Sequence, residues 1–248
     1  MIRGLYTSAS SMAANEARMD TLSNNVANAD TTGFKRDERI MESFPEMVIH
    51  RMERGESEEI GDLGSGVGID ESYTDFSSGH FQQTDAPLDL AISGDGFFAL
   101  ETEEGVRYTR NGSFHLDADG MIVDERGNPV LGEEGPLQVL PDEEVHIDTD
   151  GTVYAGDLEV DNLQIVDFDD PNQLEKLGES LFAEGEAEEI EADDYSVEQG
   201  HLEGSIVEIV REMVEMIEAS RHYETNQRSI RAQDESLQQA VNEISDLR

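Results

Sequence analysis

The chain has 248 residues, 58 of them Asp or Glu against 16 Lys or Arg, and a formal charge of -42. Counterion release needs clustered basic residues, so this balance argues against nucleic acid and against an anionic membrane surface. No Cys is present, which removes disulfides, thiol nucleophiles and thiolate metal sites.

The acids are spread over the whole chain. That distribution favours the solvated surface of a halophile, where molar salt shortens the Debye length to about 3 Å or less. Binding of cations such as calcium is the alternative. No stretch approaches the roughly 20 apolar residues of a membrane span. The N-terminus starts Met1-Ile2-Arg3 but turns polar at Ser10, Ser11 and Asn15. A cleaved signal peptide is therefore not expected, and export, if it occurs, would need another route.

Residues 1–32 form the first predicted element. Leu5, Ala9, Met12, Met19, Leu22 and Val26 recur at helical steps, interrupted on the same face by Glu16. Asn28 to Asp30 followed by Thr31-Thr32-Gly33 is a stop signal. Residues 33–84 read as an extended connector. Pro45 disfavours helix at Phe44, and residues 61–68 hold four glycines.

Residues 85–196 switch to period two and read as an all-β domain. Leu88, Leu90 and Ile92 alternate with polar neighbours, and Phe97-Phe98-Ala99-Leu100 follows Gly94-Asp95-Gly96. Asp119-Gly120 and Asp150-Gly151 each precede a short apolar run, a hairpin signal because Gly accepts positive φ. Residues 183–194, mostly acids and Ala, read as a solvated loop.

Residues 197–248 form the last element, a helix with Ile206, Val210, Met213 and Ile217, then Ile230, Leu237, Val241 and Ile244, at heptad-like steps. Ser220, Gln227 and Asp234 fall near that seam. They either fix its register or face solvent. Helices of this kind bury a stripe, so the fold class expected is α+β: long N- and C-terminal helices paired in a coiled-coil-like way, with the connector and an all-β domain inserted between them. The apolar residues expected at an assembly interface are Leu5, Met12, Met19, Leu22 and Val26 with Val210, Met213, Ile217, Ile230, Leu237 and Val241.

Nothing in the chain demands catalysis. Asp117-Ala118-Asp119-Gly120 and Asp148-Thr149-Asp150-Gly151 lack the full ligand set of a calcium loop, and turns explain both. The six His show no metal-ligand spacing. Ser113 and His115 share a strand face without an orienting third group. No enzyme activity, cofactor or metal is expected.

Three segments carry a family resemblance. The first is Ser23-Asn24-Asn25-Val26-Ala27-Asn28 with Thr31-Thr32-Gly33-Phe34-Lys35. The second is Leu88 to Phe98, including Gly94, Gly96, Phe97 and Phe98, then Tyr108-Thr109-Arg110-Asn111-Gly112-Ser113-Phe114. The third is Gln199-Gly200-His201-Leu202-Glu203 with Glu212-Met213-Val214 and Arg221-His222-Tyr223-Glu224. In this order they resemble the bacterial flagellar basal-body rod and hook proteins, most closely the distal-rod type. Two positions depart: Ser205-Ile206 stands where the family often has Ser-Asn, and Ser220 where it often has Gln. Asn24, Asn25 and Asn28 either hydrogen-bond at the helix end or face solvent.

The resemblance implies a structural axial subunit of the flagellar basal body that self-assembles into a helical tube and transmits torque from motor to hook. Its implied partners are copies of itself, other rod and hook proteins, and the flagellar type III export apparatus. A hook or junction component is the nearest alternative. A β-rich binding module on a coiled-coil stalk is the remaining one. Isolated helices lose the burial that stabilises them, so the terminal segments are expected to order fully only when subunits stack.

Overall fold

The structure, a computed structural model, describes residues 2–53, 56–140, 145–178, 180–192 and 195–246. The chain divides into two compact units. One holds residues 1–26, 37–73 and 209–248; the other holds 27–36 and 74–208.

The first unit contains α1 (Ile2–Ala27) and α2 (Ile209–Asp246). Neither helix contains Pro, and α2 is rich in Glu, Gln, Arg and Ala, all good helix formers. After α1 the chain turns with Thr31 N–H donating to the Asn28 carbonyl, and Gly33 follows at φ 65°, a left-handed value that ends helical propagation. The same unit holds β1 (Asp37–Ser43), β2 (Met47–Glu53), β3 (Glu56–Leu63) and most of β4 (Val67–Thr74). β1 pairs with β4, and β2 pairs antiparallel with β3.

One expectation fails here. The fold is not a coiled-coil-like pair of long helices. Among the described residues two α-helices flank a β-rich middle, and polar contacts join α1 to α2: Arg18 to Glu215, Asn25 to Glu212 and Asn226 to Ser11. Of the α2 residues expected in an apolar seam, Val210, Met213, Ile217 and Val241 are 77, 49, 53 and 64% exposed. Glu212 and Ala219 are the fully covered residues instead. Residues 33–84, expected as an extended connector, carry four long strands and a fifth short one. Their acids and arginines hid the period of two, because a two-stranded ladder needs no continuous apolar face.

The second unit is β-rich. Its strands are β5 (Phe81–Gln83), β6 (Leu90–Gly94), β7 (Phe97–Thr102), β8 (Gly105–Thr109), β9 (His115–Leu116), β10 (Ile122–Val123), β11 (Val145–Ile147), β12 (Thr152–Ala155) and β13 (Leu158–Asn162). There follow β14 (Ile165–Phe168), β15 (Glu175–Leu177), β16 (Leu181–Ala183), β17 (Glu189–Glu191), β18 (Tyr195–Gln199) and β19 (His201–Glu203). The main sheet runs β15-β16-β8-β7-β14-β17. Pairs β18–β6 and β19–β5 return the chain toward α2. The helix begins at Ile209, so 197–203 is strand, and β17 lies inside the segment expected as a loop.

β7 explains the core. Successive strand residues point to opposite faces, so a strand buried on both sides reads as a continuous apolar run. Phe98 and Leu100 join Leu90, Ile92, Phe114 and Val153 on one side. Phe97 and Ala99 join Tyr108, Phe168 and Phe182 on the other. The Asp-Gly segments are turns: Gly120 and Gly151 sit at φ 78° and 93°, and their N–H groups donate to Asp117 and Asp148.

Acids crowd this surface, and self-repulsion opposes the compact state until salt screens it. The melting temperature should therefore rise steadily from 0.1 to 3 M KCl in calorimetry. A melting temperature that does not move with salt contradicts the screening argument.

Candidate functional site

The second unit brings the segment after α1 against the strand before α2. Lys35 and Glu203 are each 1% exposed, and Lys35 Nζ donates to Glu203 Oε1 at 2.6 Å. Lys35 Nζ also donates to the Ser77 carbonyl at 2.8 Å, and Gly79 N–H donates to Glu203 Oε1 at 2.8 Å. Arg110 Nη1 lies 3.8 Å from Glu203 Oε2. Arg110 also donates to the carbonyls of Gly94 and Ile92, and its guanidinium sits over the Phe97 ring at 5.2 Å. One buried carboxylate thus faces two buried cations. Burial pulls both Lys35 and Arg110 below their ordinary pKa, with Glu203 opposing the shift in each.

The flanking residues close the cluster. Phe34 is fully buried, and Lys176 Nζ stands 4.2 Å from its ring while donating to the Lys35 carbonyl. Lys35 and Lys176 are the two lysines of the chain. Thr32 Oγ1 donates to Asn111 Oδ1 at 2.6 Å. Gly33 leaves no room for a side chain, since a Cβ would stand 2.4 Å from the Arg110 carbonyl carbon. Gly112 is tighter still: a Cβ would meet the Leu90 carbonyl oxygen at 1.7 Å. Thr109 Oγ1 donates to the Ser180 carbonyl, and Phe114 packs edge-on against Phe98. Gly96 takes φ 120° at the turn into β7.

Thr32, Gly33, Phe34, Lys35, Gly94, Gly96, Phe97, Phe98, Thr109, Arg110, Gly112 and Phe114 therefore all lie in one unit, most of them around this cluster. Asn28 is buried beside Thr31, whose hydroxyl donates to it. Asn25 is buried in the other unit. Its amide donates to Glu212 and to the Asp37 carbonyl, and its Oδ1 accepts from Asp37 N–H. Asn24 is exposed on α1. Glu203 carries most of the geometry, yet the sequence showed it only as the end of a resemblance. A carboxylate in an acid-rich chain announces nothing. The rarity of lysine was the available signal.

The expected interface residues divide. On α1, Leu22 is buried, while Leu5, Met12, Met19 and Val26 are half-buried. On α2, Ile230 and Leu237 are half-buried. Val210, Met213, Ile217 and Val241 stay open. Val210, Met213, Val214 and Ile217 give the start of α2 an exposed apolar face at i, i+3, i+4 and i+7 spacing. Glu215 is held by Arg18 and Arg211; burial raises its carboxyl, but these hydrogen bonds outweigh that and keep it below the ordinary value.

Removing one partner of a buried ion pair strands the other. Glu203→Gln removes the carboxylate that both cations face, leaving Lys35 with Asp75 and Arg110 with Asp95 and Asp167 among the described residues, and should cost about 3–5 kcal/mol in denaturant unfolding. Lys35→Met leaves Glu203 with Arg110 and should cost at most about half as much. Equal losses contradict this charge assignment.

Family models match three segments of the sequence, and relatives match nearly its whole length. Residues 5–35 match the family model described as flagella basal body rod protein, 91–155 the flagellar hook protein FlgE/F/G D1 domain, and 198–243 the flagellar basal body rod FlgEFG protein C-terminal. Flagellar basal-body rod protein FlgG of Bacillus subtilis is 34% identical over 267 residues, covering 98% of this chain and 99% of that protein. The FlgG of Borreliella burgdorferi is 33% identical over 263 residues, 96% of this chain and 97% of its own. Flagellar basal-body rod protein FlgF of Caulobacter vibrioides is 31% identical over 229 residues, 91% of each chain. With three matched segments in the same order and near-full coverage, the chain belongs to the flagellar basal-body rod protein family and is a structural protein of the basal body.

Proposed function

We propose that this protein is an axial rod subunit of the distal type, stacking with copies of itself into a helical tube that carries torque from motor to hook. The observation that carries the reading is the open apolar face of α2 at Val210, Met213, Val214 and Ile217. A contiguous apolar face on a chain of charge -42 marks an interaction surface, because a solvated helix would place acids there. Non-closing contacts between identical copies generate an open helical assembly. Relatives named flagellar basal-body rod proteins FlgG and FlgF support the rod role.

Export through the flagellar type III apparatus without signal cleavage, assembly with other rod and hook proteins and absence of catalysis belong to the same reading. Many positions of α2 are exposed in the single chain, so the terminal helices gain further burial on stacking. The substitutions Val210→Asp and Ile217→Asp touch exposed positions. Together they should leave unfolding of the isolated subunit unchanged within about 0.5 kcal/mol. They should also abolish recovery of the protein in purified basal bodies and with it motility. Normal incorporation and motility in this double variant contradict α2 as an assembly face.

A further inference from the structure

Glu203 holds three stretches of chain at once. Its carbonyl accepts from Gly33 N–H at 2.8 Å, and its carboxylate accepts from Lys35 and Gly79. Around it, Ile206 N–H donates to the Phe34 carbonyl and Gly204 N–H to the His80 carbonyl. Lys35 and Glu203 are 168 positions apart in sequence. Residue 35 follows α1 and residue 203 precedes α2, so the two chain segments that lead to the terminal helices are tied to one side chain.

This tie is imperfectly satisfied. Glu203 Oε2 and Arg110 Nε are both buried without a hydrogen-bond partner. The Arg110–Glu203 approach of 3.8 Å is long for an ion pair that must repay two desolvated charges. The neighbouring core has no such deficit: Phe97, Phe98, Ala99 and Leu100 are apolar and buried. Opening free energies differ from place to place in a fold, and incompletely compensated buried charge lowers the local cost of opening.

We infer that Lys35, Glu203 and Arg110 form a latch that opens as one local unit, releasing residues 31–36 and 201–206 together while β7, β8 and β14 stay folded. Both helix-bearing segments are then held or freed in a single event, and neither can settle before the other is in place. The latch stands on the geometry of the single chain and does not depend on the axial role.

Hydrogen exchange of the full chain in molar salt tests it. In the wild-type protein, amides of 31–36 and 201–206 should exchange at a common rate, faster than those of 97–109 and 165–168. An amine-reactive reagent should modify Lys35 at that same opening rate and Lys176 much faster. Glu203→Gln should accelerate both segments by the same factor, about a hundredfold or more, with 97–109 unchanged. Different rates for the two segments in the wild type overturn the latch. So does acceleration of one segment alone, or equal loss of protection throughout 97–109. The wild-type rates decide the matter even if the variant does not fold.

Discussion

A buried carboxylate shared between Lys35 and Arg110 is the constraint around which the β-rich unit is arranged. Charges taken out of water are tolerated only when each meets an opposite charge or several dipoles. That requirement fixes much else here. Arg110 has to lie on Phe97 and between the carbonyls of Ile92 and Gly94, and Gly33 and Gly112 have to lack side chains so that backbones can close in. Of the two lysines in a protein with 58 acids, Lys35 is buried in this cluster and Lys176 stands over the Phe34 ring and donates to the Lys35 carbonyl.

The two units divide the work. The β-rich unit is stabilised from within, by two apolar clusters on either side of β7. The unit holding α1 and α2 keeps an open apolar face and a set of polar helix contacts. Such an imbalance is expected of a subunit whose burial is completed by neighbours, and membership of the rod family supplies those neighbours.

Legibility in the sequence followed the same division. The β core was readable because its residues obey local rules: Leu88, Leu90 and Ile92 alternate, Phe97 to Leu100 is buried on both faces, and Gly120 and Gly151 take the positive φ that Asp-Gly turns require. The extent of α1 was readable from its spacing and the Thr-Thr-Gly stop. On α2 the spacing located an apolar stripe but not its partner: within the single chain Glu212 and Ala219 are covered while Val210, Met213 and Ile217 are open. Strands β1–β4 were missed because their alternation is written in charge, and Glu203 because its partners are far away in sequence.

Immunogold labelling of purified hook–basal bodies, with antibody raised against residues 88–195, addresses the central claim most directly. Gold along the rod below the hook is the expected result. Gold confined to the hook, or basal bodies free of gold with the protein soluble in the cytoplasm, contradicts it.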